Sequence, residues 1–171
     1  QFAIKQSSRD MSNPTVGSWK HLKKVARYLV GMKSIVWKFA YQHEVSNCDL
    51  YTDSNWGGNF KDRKSTSGGA WMLGNHLIKT WSASQGAFAL SSAEAELYGM
   101  VEGVTRGKGL VHLAQELGFG NLSNKINLGT DSNAAKSFIS RRGLGRMRHL
   151  ELRDLWLQKE IQDGKLIVWK V

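Results

Sequence analysis

With 171 residues, 41% of them hydrophobic, the chain can build one domain with a real core and at most a short extra element. A net charge of +10, from 24 Lys and Arg against 14 acidic residues, favours a polyanionic partner, a nucleic acid or an anionic surface, without choosing between them. The single cysteine, Cys48, excludes an internal disulfide, no Cys/His cluster is spaced for zinc, and no apolar stretch approaches the roughly 20 residues that cross a bilayer. Residues 1–14 are polar and end at the only proline, Pro14, and read as a loop; a start at Gln1 instead of Met is expected of a fragment. Over 16–30, Trp19, Leu22, Val25, Ala26 and Leu29 recur at helical spacing, with Lys20, Lys23, Lys24 and Arg27 on the other faces, which predicts an amphipathic basic helix. Residues 34–41 read as a strand.

Three short strands are predicted next, at 48–53, 68–73 and 77–82, parted by Asn55-Trp56-Gly57-Gly58 and Leu73-Gly74-Asn75-His76. Spacing this tight predicts an antiparallel meander. A helix from 92 to about 117, closed by Gly118, is followed by a strand at 125–130, a short helix at 132–140, a longer one at 147–162 and a last strand at 165–171. Trp71, Trp81 and Trp169, inside strand runs, are expected in the core.

Three acids stand where side chains from distant segments can converge. Asp53 closes one strand run in Tyr51-Thr52-Asp53-Ser54, Asp131 closes another in Leu128-Gly129-Thr130-Asp131-Ser132, and Glu96 lies in the first turns of a helix in Ala93-Glu94-Ala95-Glu96-Leu97. Such hard oxygen donors suit Mg²⁺ or Mn²⁺. A blander reading makes Asp131 the cap of the helix beginning near Ser132. In the long helix, Ser91 and Glu94 have capping-box spacing, which gives Glu94 a local role. Glu96 instead shares a face with Gly99, Gly103 and Gly107, small residues that let a helix approach a sheet closely.

These three acids, with Asp62-Arg63-Lys64-Ser65-Thr66-Ser67-Gly68, Ala89-Leu90-Ser91-Ser92-Ala93-Glu94-Ala95-Glu96 and Arg148-His149-Leu150-Glu151-Leu152-Arg153, resemble the ribonuclease H domain of Copia-type LTR retrotransposon polyproteins. The resemblance implies an α/β fold, a mixed five-stranded sheet flanked by helices. It implies a domain at 46–171 preceded, at 1–45, by the end of a reverse transcriptase region. It further implies an endonuclease that cuts the RNA strand of RNA–DNA hybrids during reverse transcription, with Asp53, Glu96 and Asp131 holding two Mg²⁺ or Mn²⁺ ions roughly 3.5–4 Å apart. The family carries a fourth acidic ligand in a helix after the last strand, which this chain, ending at Val171, is expected to lack; further candidates at the site include Glu151 and His149. Arg141, Arg142, Arg146, Arg148 and Arg153 are candidates to track phosphates, and Trp56 to meet the substrate. Expected partners are the hybrid, the upstream reverse transcriptase and a possible larger assembly, in the cytoplasm, a virus-like particle or the nucleus. Two other readings stay open: a catalytically silent retroelement-derived subunit, and a generic RNA-binding module that needs no metal.

Overall fold

A computed structural model of the chain describes residues 1–59, 61–119, 122–143 and 155–171, which divide into two compact units, Gln1–Tyr41 and Gln42–Val171. The first unit holds two helices, α1 (Phe2–Ser8) and α2 (Val16–Gly31). Helix α1 replaces the expected loop: no Gly or Pro interrupts Phe2–Ser8, and Ala3, Lys5 and Gln6 are good helix formers. Helix α2 begins where Thr15 Oγ1 accepts a 3.1 Å hydrogen bond from the Ser18 N–H, and no residue of either helix is buried. The strand expected at 34–41 is absent. Its apolar residues Val36, Trp37, Phe39 and Tyr41 are exposed, so the segment lacks the one buried face that favours a strand.

The second unit is a five-stranded sheet in the order β3-β2-β1-β4-β5, formed by β1 (Cys48–Asn55), β2 (Thr66–Leu73), β3 (His76–Ser84), β4 (Ile126–Thr130) and β5 (Leu166–Lys170). The first three strands form the predicted antiparallel meander, whereas β4 runs parallel to β1, and β5 parallel to β4. A parallel pairing needs a crossover, and the chain makes it through α3 (Ser92–Glu116). The helices α4 (Asn133–Ser140) and α5 (Trp156–Gln162) complete the described elements. The first part of the helix expected at 147–162 lies outside the described residues.

The core fills the space between one sheet face and the helices. Leu50 from β1, Trp71 and Trp81 from β2 and β3, Leu97, Met100 and Val104 from α3, Leu128 from β4 and Phe138 from α4 all belong to it. Glycine lets α3 sit this close: a Cβ on Gly103 would lie 2.4 Å from Thr52 Cγ2. Trp169 departs from the expected core position and is 37% exposed. It lies on edge strand β5, and its ring meets Tyr51 edge-on, centroids 5.6 Å apart, over Gly129, where any Cβ would crowd both rings.

Candidate metal centre

The parallel register brings two of the acids together. Tyr51 pairs with Gly129, so Asp53 and Asp131, each two positions further on, emerge side by side where β1 and β4 end. Alternation along β1 turns Ser54 away from Asp53 and towards α3. There it meets Glu96, whose Oε1 accepts from both the Ser54 N–H at 3.0 Å and the Ser54 hydroxyl at 2.8 Å. One carboxylate oxygen each from Asp53, Glu96 and Asp131 lie within 4.8 Å of one another, the only such grouping of His, Cys, Asp or Glu among the described residues.

The three acids differ in environment. Asp53 and Asp131 are exposed, while Glu96 is 8% exposed, and its Oε2 is buried with no hydrogen-bond partner. Burial raises the Glu96 carboxyl above its ordinary value of 4.5; the two Ser54 hydrogen bonds oppose this, and the charges of Asp53 and Asp131 add to it. Three carboxylates this close repel one another unless a cation lies among them. An all-oxygen donor set with one buried, unsatisfied oxygen fits a hard divalent ion such as Mg²⁺ or Mn²⁺.

Neighbouring residues take the structural duties that could have claimed these acids. Ser132 Oγ accepts from the Ala135 N–H at 3.2 Å and caps α4, so Asp131 is not the cap. Ser91 Oγ accepts from the Glu94 N–H, but Glu94 does not complete the box expected of it. Its carboxylate accepts instead from the Leu90 N–H at 2.9 Å and the Tyr98 hydroxyl at 2.7 Å, because the chain entering α3 turns the Leu90 N–H towards it. The first turn of α3 is also held from the side, where buried Gln85 donates through Nε2 to Ser67 Oγ and to the Ala95 carbonyl. Lys170 Nζ donates to the Asp131 carbonyl, fixing the end of β4. Cys48, fully buried, has its thiol pushed up to about 11, chiefly by burial, and takes no part.

Trp56 is 53% exposed in the turn after β1, and its indole N–H donates to the Ala89 carbonyl at 2.9 Å, joining that turn to the approach to α3. Arg141 and Arg142 are exposed just beyond α4, Arg141 lying 4.7 Å from the centre of the Phe138 ring. Their loop is clamped by buried Gln158, which bonds both the N–H and the carbonyl of Gly143. Arg146, Arg148, His149, Glu151 and Arg153 lie outside the described residues. Sequence reasoning overlooked Ser54 and Gln85; the parity of Ser54 against Asp53 in one strand was the available signal.

No family model matches the chain. It is 29% identical over 169 residues to the retrovirus-related Pol polyprotein from transposon RE2 of Arabidopsis thaliana, a match spanning 98% of this chain and 11% of the polyprotein. The chain thus spans about a tenth of the length of that relative. It is also 31% identical over 100 residues to secreted RxLR effector protein 161 of Plasmopara viticola, covering 58% of this chain and 70% of the effector. Among solved structures it is similar to LC11-RNase H1, isolated from compost, with a TM-score of 0.54 and 13% identity over 74% of this chain and 85% of that one. That likeness agrees with the mixed sheet and flanking helices expected of a ribonuclease H-like fold.

Proposed function

We propose that this chain, which is similar over nearly its whole length to retrovirus-related Pol polyproteins, is the ribonuclease H domain of a Copia-type polyprotein and hydrolyses the RNA strand of RNA–DNA hybrids. The observation that carries the reading is the convergence of Asp53, Glu96 and Asp131 within 4.8 Å at the ends of two parallel strands. These residues would hold the divalent ions. The chemistry supplied on binding is that of a two-metal site, activation of a water and charge neutralisation at the scissile phosphodiester.

The chain's own residues do the rest. Glu96, held from one side by Ser54, forms the buried wall of the site, and the exposed Asp53 and Asp131 face the phosphate. Arg141 and Arg142, with Arg146, Arg148 and Arg153 of the same segment, supply sequence-independent contacts to the backbone of the duplex. Trp56 at the rim offers a ring to the substrate. Recognition of the ribose 2′-hydroxyl selects RNA over DNA. The upstream reverse transcriptase region of the polyprotein is the natural covalent partner, and the site of action is intracellular.

The test is cleavage of an end-labelled hybrid with Mg²⁺ or Mn²⁺. The reading expects cuts in the RNA strand alone, absent with EDTA and in Glu96→Gln. A second reading, a non-catalytic binding subunit, is prompted by the 31% identity to a protein named as a secreted effector. Hybrid binding with no metal-dependent cutting would select it.

A further inference from the structure

We infer that Ser54 is the positioning residue of the metal centre, acting through Glu96 and not on the substrate. The inference rests on the metal-binding reading above and goes beyond it by assigning different tasks to the two oxygens of one carboxylate. Glu96 Oε1 accepts from both donors of Ser54, the N–H at 3.0 Å and the hydroxyl at 2.8 Å. Its Oε2 is buried and accepts from nothing. Turning the carboxylate about its last torsion would break two charge-assisted hydrogen bonds at once, so one orientation is held.

The strand and the helix both contribute to this arrangement. Ser54 follows Asp53 directly, so one strand step places a ligand on one side of β1 and the brace for the next ligand on the other. The close fit of α3 brings Glu96 within reach: a Cβ on Gly99, one turn beyond Glu96, would lie 3.8 Å from Ser54 Cβ. Groups that orient a metal-binding side chain are commonly worth 10–100-fold in affinity. Ser54→Ala removes the hydroxyl and keeps the N–H, so the carboxylate loses one of its two restraints without becoming unpaired.

The decisive measurement is Mn²⁺ affinity, read from the electron paramagnetic resonance signal of the free ion, in a double-mutant cycle of Ser54→Ala and Glu96→Gln. The expected result is a dissociation constant raised roughly tenfold in Ser54→Ala, and no further loss when Ser54→Ala is added to Glu96→Gln. The same loss in both backgrounds would mean that Ser54 acts on the fold and not through Glu96, and would overturn the inference. Wild-type affinity in Ser54→Ala would also overturn it, leaving the metal reading intact. Absence of Mn²⁺ binding by the wild-type chain would overturn both. Should Ser54→Ala melt markedly lower without metal, Ser54→Cys, a close match in shape with a weak donor, repeats the cycle and is held to the same outcomes.

Discussion

The Gln85 side chain donates a 2.7 Å hydrogen bond to the carbonyl of Ala95, one residue before Glu96, while its other amide hydrogen serves Ser67 Oγ at 2.9 Å. Through it the segment after β3 and strand β2 both hold the turn of α3 that carries the buried acid. Gln85→Leu keeps the bulk and removes the donors, leaving the buried Ser67 hydroxyl without its partner and the Ala95 carbonyl with its helical bond alone. A loss of about 1–3 kcal/mol is expected from urea unfolding, with a weaker metal response than in the wild type. Unchanged stability would mean that water replaces the amide.

Divalent metal should stabilise the fold. At a hundredfold excess over its Kd, Mg²⁺ or Mn²⁺ would contribute about 2.7 kcal/mol, a rise in Tm of roughly 5–10 °C for a chain of this size. Asp131→Asn should abolish most of that rise. Equal shifts in variant and wild type would remove Asp131 from the centre.

Without metal, the raised carboxyl of Glu96 makes stability depend on pH in an unusual direction. Because the folded-state value lies above the ordinary 4.5, the protonated form is favoured in the fold: its contribution is full below pH 4.5 and is lost as pH rises through the folded value. Glu96→Gln, permanently neutral, should therefore be more stable than the wild type in EDTA at neutral pH, with the advantage gone in acid. Added Mg²⁺ should reverse the order. Unfolding curves at several pH values check both signs, and a variant less stable throughout would contradict the account.

Two glycines of α3 should respond oppositely to alanine. Gly103→Ala would force a Cβ to 2.4 Å from Thr52 Cγ2, a destabilisation of about 1–3 kcal/mol that outweighs the gain in helix propensity. Gly109→Ala meets nothing within 4 Å and should stabilise by up to about 1 kcal/mol. Thermal unfolding of the pair decides whether close approach to β1 accounts for Gly103.

Affinity for a hybrid should fall steeply with salt, since each neutralised phosphate releases counterions. Replacing Arg141 and Arg142 together by alanine should flatten the log–log slope by about one to two units. Fluorescence anisotropy across a salt series measures it. A slope that does not change would place these arginines away from the duplex.

Much of this architecture is written locally. The alternation in β1, the tight turns of the meander and the Ser91 cap of α3 depend on neighbours a few positions away, and the three acids stood out because strand ends and helix starts are legible in a pattern of period two or 3.6. The same pattern misled where burial was needed: residues 34–41 have strand chemistry but lie exposed, and Trp169 has core chemistry but sits on edge strand β5. Ser54 meets Glu96 across 42 positions, Gln85 meets Ser67 across 18, and Glu94 turns to Leu90 instead of Ser91. Composition and periodicity determined which residues carry the chemistry and which elements carry them. Only the tertiary structure decided which donor each carboxylate oxygen receives and which stays unpaired, because a hydrogen bond depends on distance and angle between segments that the chain brings together only when the parallel β1–β4 register and the close seat of α3 have formed.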